Sequence, residues 1–335
     1  MTEDVITLDY GSGGKKTSRL IEEEIVPRFE NTALAALGDA AVLPGADHLA
    51  FSTDSFVVSP AEFPGGNIGK LAVCGTVNDV AMAGGKPLYL SLSLILEEGL
   101  PMDTLRRVLD AAAAEAKEAG VSIVTGDTKV VEKGRGDGLY INTAGIGELV
   151  TPGLTPAAIR KGDAVIVSGT VGEHGTAVML ARNPGLCEAE LTSDCAPVHR
   201  QAMELGKALG ADLRVLRDPT RGGLATTLNE FIEGTALGIE IREPDIPVSD
   251  TVQTVCDMLG LDPLYCACEG RLIAVTAPER AEEAVRILKQ YPGGEHAAVI
   301  GTVTDQTPGR LIVRTKYGSG RIAAKLAGAQ LPRIC

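Results

Sequence analysis

Several short stretches of this sequence carry residue types able to handle a phosphate, a cation or a proton. In YGSGGKK (10–16), Gly11, Gly13 and Gly14 precede a helical pattern, so backbone N–H groups can close on phosphate oxygens, with Lys15 or Lys16 adding charge. It is not a Walker A loop, because Asp9 stands where the first glycine belongs, and Lys16 replaces the last glycine of a dinucleotide fingerprint. A plain flexible turn is the alternative. Four aspartates occupy small-residue contexts: Asp39 in LGDAAV, Asp54 in FSTDSF, Asp79 in VNDVAMAGG and Asp127 in VTGDTKV. Singly, each reads as a turn former or helix N-cap. Together, beside a glycine-rich loop, they suit magnesium held through carboxylates and substrate phosphates.

The second half adds further candidates. SGTVGEHGTAVM (168–179) is a glycine-rich turn opening a helix, with His174 either catalytic or structural. RDPTRGGLATTLNE (217–230) sets Asp218, Pro219 and Thr220 before a helix that starts at Arg221 and two glycines, either a plain helix start or another phosphate or metal contact. YCACEGRL (265–272) puts Glu269 at a strand edge beside Cys266 and Cys268, read without context as a surface acid and two buried thiols. The sequence closes on PRIC, where Pro332 cannot continue a helix, so Cys335 sits on an end expected to be loose.

The elements that must position these residues follow from the hydrophobic pattern. A short strand at Val5–Leu8 leads into the glycine loop and a helix over TSRLIEEEIV, followed by strands in LAALGDAAVL and HLAFSTDSFVV. NIGKLAVCGTVNDVAMAG reads as a helix, PLYLSLSLILE alternates as a strand, and MDTLRRVLDAAAAEAKEAG is a helix stopping at Gly120. VSIVTGD and LYINTAGIGEL complete this half as strands, and TPGLTPAAIRKGD (151–163) reads as a linker. The second half alternates helices near 194–210, 221–233, 250–259 and 278–290 with strands near 213–217, 237–242, 270–277, 297–303 and 310–315. This order predicts two α/β or α+β domains, 1–150 and 151–317, with a mobile tail over 318–335.

Bulk properties narrow the function. The 335 residues carry a net charge of −13, which argues against a nucleic-acid surface. The N-terminal MTEDVITLDY lacks a signal-peptide pattern, and the most apolar run, LYLSLSLILEEG, is too short to span a bilayer, so neither secretion nor a membrane is expected. The 7 cysteines form no CxxC pair, which gives no support to structural zinc and points to reduced thiols in the cytoplasm.

In order, GSGGK, GDAAV, STDSFVVSP, NDVAMAGGKP, TGDTKVV, INTAGIG, GTVGEHG, DPTRGG and the final PRIC resemble the HypE family of hydrogenase maturation proteins. That family lies within the PurM-like (aminoimidazole ribonucleotide synthetase) superfamily of ATP-binding enzymes. The resemblance runs from Asp9 to Cys335; NDVA, TGDT and DPTRGG mark the superfamily, and PRIC the particular member. It implies a PurM-like N-terminal domain whose sheet pairs across a homodimer, and a C-terminal α/β domain packed against it. It further implies that Asp39, Asp54, Asp79 and Asp127 approach Mg2+ and the phosphates of ATP, that the Gly11–Lys15 loop closes over the phosphate chain, and that Asp218 faces the same cleft.

The implied reaction begins when a partner carbamoyltransferase loads a carbamoyl group onto Cys335. ATP-dependent dehydration then gives a protein thiocyanate, the source of cyanide ligands for the iron of nickel–iron hydrogenase, passed on to scaffold maturation proteins. Glu269 is expected to act as the base and Lys129 as its electrostatic partner. Among relatives, selenophosphate synthetases usually carry a Cys or selenocysteine in the glycine loop, which here has no thiol, and thiamine-phosphate kinase would not need Cys335. A carrier that holds the group without catalysis is the reading from a different class.

Overall fold

The computed structural model describes residues 5–37, 40–185, 189–326, 328, 331 and 333–335, so Asp39, Cys187 and Pro332 lie outside the described residues. After a short helix α1 (Lys15–Leu20), the first domain builds on strand β1 (Leu49–Phe56) and a small ladder of β2 (Glu62–Phe63) and β3 (Gly66–Asn67). Helix α2 (Ile68–Met82), β4 (Gly85–Glu97), α3 (Met102–Ala119), β5 (Ser122–Val131) and β6 (Leu139–Leu149) follow. The sheet order is β1-β6-β4-β5, antiparallel except for the parallel β4–β5 pair.

Alternation along β4 sets the layers. Leu90, Leu92, Leu94 and Leu96 are buried beneath α2 and α3. The other face carries Phe51, Leu49 and Ile95, which are 67%, 54% and 44% exposed. Helix α2 starts where the Asn67 side chain accepts from the N–H groups of Gly69 (2.9 Å) and Lys70 (3.1 Å). It packs closely on α3, because a Cβ at Gly69 would stand 2.1 Å from the Val108 carbonyl oxygen.

The second domain contains β7 (Ala164–Val167), α4 (Glu173–Arg182), α5 (His199–Leu209), β8 (Leu213–Arg217), α6 (Gly223–Ile232), β9 (Gly238–Arg242) and α7 (Asp250–Leu259). It continues with β10 (Ile273–Thr276), α8 (Ala281–Leu288), β11 (Ala298–Thr304), β12 (Leu311–Arg314) and β13 (Gly320–Ile322). Its strands order as β13-β12-β9-β11-β7-β10-β8, with only β12–β9 parallel. Separate apolar clusters fill its two sides.

Most expected elements appear close to their predicted places, with three differences near the N-terminus and at the tail. Val5 makes only an isolated bridge to Pro101, and Leu8–Gly11 is a 3-10 turn. Leu34–Ala36 is also a 3-10 turn where LAALGDAAVL reads as a strand. The segment expected to be a tail from Gly318 begins with β13, which pairs along β12 and so belongs to the sheet. Among the described residues no helix is long and apolar enough to cross a membrane.

The α2–α3 contact yields a direct test. Gly69→Ala is expected to lower stability by about 1–3 kcal/mol, the usual cost of overpacking. Urea unfolding should show a lower midpoint at unchanged slope; an unchanged midpoint would mean that the helices have room for a methyl group.

Candidate active site

The candidate residues fall into two cavities at opposite edges of the first sheet. The larger, about 680 Å³, lies between the domains, and its lining includes Asp54, Asp79, Asp218, Arg221, Glu269 and Cys335. The smaller, about 460 Å³, borders the β5 edge and includes Gly11, Gly13, Asp127 and Lys129. The row Ser55–Asn142–Ser93–Asp127 crosses all four strands, so Asp127 stands about 14 Å from the row's β1 end at ordinary strand spacing. Lys129 is paired with Asp127 at 2.6 Å, and does not line the Glu269 cavity of its own chain. Gly14 caps the short helix α1 and Lys15 opens it, both exposed.

In the larger cavity, the acids are delivered by three local devices. Ser52 and Asp54 are two apart on β1, and the Ser52 hydroxyl donates to Asp79 at the end of α2 (2.7 Å). Asp218 follows β8 in a loop that turns into α6 through Gly222 and Gly223, whose φ values of 79° and 61° favour glycine. A Cβ at Gly223 would lie 2.6 Å from the Cys266 carbonyl oxygen, and the Cys268 N–H donates to Pro219 (2.9 Å), so this loop is pressed against the Cys266–Glu269 segment.

Glu269 is held by its backbone. Its N–H and that of Gly270 donate to the buried Asp194 carboxylate at 3.1 and 3.3 Å. Its carbonyl accepts from the Asn78 amide (3.4 Å), which also donates to Ala196 (3.1 Å) and accepts from the Val198 N–H (2.8 Å). Asn78 adjoins Asp79, so one turn of α2 both ties the domains together and supplies a cavity acid. The Glu269 side chain is 2% exposed, and its Oε1 has no partner among the described residues. Burial, then the Cys335 and Cys195 thiols, pushes its carboxyl well above the usual range.

The electrostatics describe a site short of positive charge. Burial, reinforced by Asp79, pushes Asp218 up to about 7. Burial also raises Asp54, and raises Asp79 with help from Asp54. Carboxylates that raise one another's proton affinity are a donor set suited to a hard divalent cation. Among the described residues no group of three ligating side chains is arranged to hold a metal unaided. Such a site fits magnesium, which takes one or two carboxylates and completes its shell with phosphates and water.

Cys335 reaches this cavity from its own chain. The Val57 N–H donates to its carbonyl (3.0 Å), the Ser59 N–H donates to that of Arg333 (3.3 Å), and Arg333 pairs with Asp137 (2.5 Å). Ile334 is buried, and its carbonyl accepts from His174 at 2.8 Å. Burial raises the Cys335 thiol, against the opposing charge of the nearby Arg221. Asn78 and Asp194 were not singled out as site residues from the sequence, though Asn78 adjoins Asp79; Arg221 reads there either as part of a plain helix start or as a phosphate or metal contact.

Known proteins match this arrangement over nearly the whole chain. The AIR synthase related protein N-terminal domain matches residues 37–149, and its C-terminal domain matches 160–314. The carbamoyl dehydratase HypE of Cupriavidus necator is 46% identical over 334 residues, covering 98% of this chain and 95% of that protein. A crystal structure of hydrogenase maturation protein HypE in complex with ATP superposes with a TM-score of 0.94 at 47% identity, covering 98% of this chain and 99% of the other. The HypE chain of a HypE–HypF complex gives a TM-score of 0.80 at 44% identity, covering 92% and 99%.

The raised Asp218 sets a pH test. An acid whose folded-state pKa lies above its unfolded value contributes stability below the unfolded value and loses it as pH rises through the folded one. With an ordinary value of 3.8 and a folded value of about 7, Asp218→Asn should be more stable than the parent above pH 7. The advantage, no more than about 4 kcal/mol, should shrink to nothing below pH 3.8. Urea titrations across that range would expose the error if the gap stayed constant.

Proposed function

The chain belongs to the HypE family of carbamoyl dehydratases, enzymes of hydrogenase maturation, and on that premise we propose that it binds MgATP and dehydrates a carbamoyl group carried on its own Cys335. The product is a protein thiocyanate, the source of cyanide for the iron of nickel–iron hydrogenase. The observation that carries this reading is the seating of Cys335 in the cavity formed by Asp54, Asp79, Asp218 and Glu269. Support for ATP comes from the relative crystallised with it, and for a carbamoyl donor from the HypE–HypF complex. Scaffold maturation proteins then accept the cyanide, and all of this takes place in the cytoplasm.

The chemistry makes demands that the residues meet. The carbamoyl oxygen attacks the γ-phosphorus, the bond to the β-bridging oxygen breaks, and ADP leaves. The activated C–O bond then breaks, phosphate departs with one of the two nitrogen protons, and the other passes to a base, leaving S–C≡N. Asp54 and Asp79, with Asp39 and with Asp127 of a partner protomer, would hold magnesium against the nucleotide phosphates, and the ion would supply positive charge to the transferring group. Arg221, which lines the same cavity as Cys335, adds a cation near the reacting carbon. Glu269, with a strong affinity for protons and a free oxygen, accepts the proton that leaves nitrogen.

A homodimer reconciles the two cavities. Phe51, Leu49 and Ile95 lie on the open sheet face, which a second copy would cover. In that dimer, the Gly11–Lys15 loop, Asp127 and Lys129 of one protomer complete the acidic cavity of its partner, with Lys129 the electrostatic partner of Glu269. The N-terminal domain (1–150) then binds nucleotide and dimerises, the C-terminal domain from 151 through β13 carries Asp218 and Glu269, and the tail beyond β13 moves Cys335 between loading and dehydration. Burial disfavours the docked thiolate, which supports loading with the tail withdrawn.

Two experiments test these readings. The C-terminal peptide should gain a carbamoyl group on incubation with the carbamoyltransferase and carbamoyl phosphate, then lose the mass of one water only when MgATP is added. An adduct that never dehydrates would mark a carrier instead, and Cys335→Ala should abolish the reaction. For the shared site, an equal mixture of Asp54→Asn and Asp127→Asn chains, dissociated and reassociated, should recover about a quarter of parental activity, since half the dimers hold one intact site. No recovery would confine the site to one chain.

A further inference from the structure

The tail is held on its outer side by Arg333, paired with the half-exposed Asp137, and by bonds along residues 57–59. On its inner side, one residue from Cys335, the contact is of another kind. His174, 0% exposed on α4, meets the Ile334 carbonyl through Nε2 at 2.8 Å and the Ser193 hydroxyl through Nδ1 at 2.8 Å. The protons on this relay are fixed by logic. A carbonyl can only accept, so Nε2 carries the hydrogen. In the neutral ring Nδ1 is then an acceptor, and Ser193 must donate to it. The Ser193 oxygen in turn accepts from the Cys195 N–H at 3.0 Å, which leaves its own hydrogen free for the histidine. The Phe63 ring stands edge-on to the imidazole, 5.3 Å between centroids, and fixes its plane.

We propose that His174 is the positioning residue that docks the tail: Ser193 holds it in the Nε2–H form, and that hydrogen fixes the Ile334 carbonyl so that Cys335 faces Glu269. This rests on the reading of Cys335 as the carrier of the reacting group. A buried N–H whose acceptor leaves is costly, so His174 favours the docked tail over the withdrawn one. His174 touches neither the reacting carbon nor the phosphates. Its effect is on a population, and it acts in opposite senses on the two steps: docking aids dehydration and opposes loading.

That opposition is the test. His174→Phe keeps a ring and removes both nitrogens; Ser193→Ala is milder and frees the imidazole to take the wrong tautomer. Each full-length variant is compared with the parent in iodoacetamide alkylation of Cys335, read as the mass of the C-terminal peptide. Carbamoyl loading at limiting carbamoyltransferase, MgATP-dependent dehydration of preloaded protein, and thermal midpoint are measured alongside. Loss of one buried hydrogen bond predicts alkylation and loading faster, and dehydration slower, each by about fivefold to tenfold. Ser193→Ala should do this with a smaller fall in midpoint than His174→Phe, while in the parent 15N spectra show His174 as the Nε2–H tautomer. Parental alkylation and dehydration in Ser193→Ala, or an Nδ1–H tautomer in the parent, would overturn the proposal. If the parent itself loads but never dehydrates, the functional reading fails, and the alkylation rates still decide whether His174 docks the tail.

Discussion

Glu269 is clamped by its main chain, and the active cavity is arranged around that clamp. Asn78 from the first domain and Asp194 from the second both bind the backbone of this one residue, the former at its carbonyl and the latter at its N–H. The side chain is thereby left with an unpaired oxygen in a buried position. Such an atom is expensive to keep, commonly about 1–3 kcal/mol, and the cost is tolerable because the surrounding backbone leaves the carboxyl no other place to go. Asp194 is itself secured by Arg271 (3.9 Å), which also pairs with Glu173 at the start of α4 (2.9 Å). The helix bearing His174 is therefore tied to the same bonded assembly as Glu269, and the docked tail end joins it through the Ile334 carbonyl.

The charge balance of the cavity follows from this geometry. Asp54, Asp79, Asp218 and Glu269 line a single cavity with Arg217, Arg221 and Arg333 as the cations in its lining. Burial shifts each of these four acids towards its neutral form, and neighbouring groups shift Asp79, Asp218 and Glu269 further. A triphosphate approaching alone would add repulsion to an already crowded set of carboxylates. With a divalent cation between the two groups, the same carboxylates become ligands, and each loses the reason to hold a proton. An acidic protein can thus bind an anionic nucleotide without a basic surface.

How much of this was visible in the sequence depended on whether chemistry or tertiary packing chose the residue. NDVA, DPTRGG and CACEG were legible because small residues and glycines flank an acid where a backbone must come close; the contacts of Gly223 with Cys266 are the physical reason for that spelling. The strands and helices of the second domain were legible from periodicity. Asp127 and Lys129 were legible as residues but not in their place, since the β1-β6-β4-β5 order that puts them across the sheet from Asp54 is a long-range property. Asp194 gave no local signal, because it acts on a backbone group far along the chain. His174 read as catalytic or, more often for a lone histidine in a turn, structural; what distinguishes it is its bond to a carbonyl at the other end of the chain.

A residue that must be loaded by another protein and then react in a closed cavity has to occupy two places, and neither can be too stable. The docked end makes several hydrogen bonds, each worth about 0.5–1.5 kcal/mol net, and buries Ile334, which adds roughly 1.5–3 kcal/mol. Against this stand the entropy of ordering the tail and the backbone groups that water would otherwise satisfy. The proposed mechanism requires the sum to be a modest preference, one that a partner protein can reverse by binding the withdrawn tail. Because the tail is tethered, its return is an intramolecular event, with an effective concentration that no free carbamoyl compound needs to match. The docked thiol is raised above its ordinary proton affinity by burial, so it is a weak nucleophile in the cavity and becomes a stronger one outside. A single residue then serves as acceptor in one position and as substrate carrier in the other, and the change in environment alone separates the two roles.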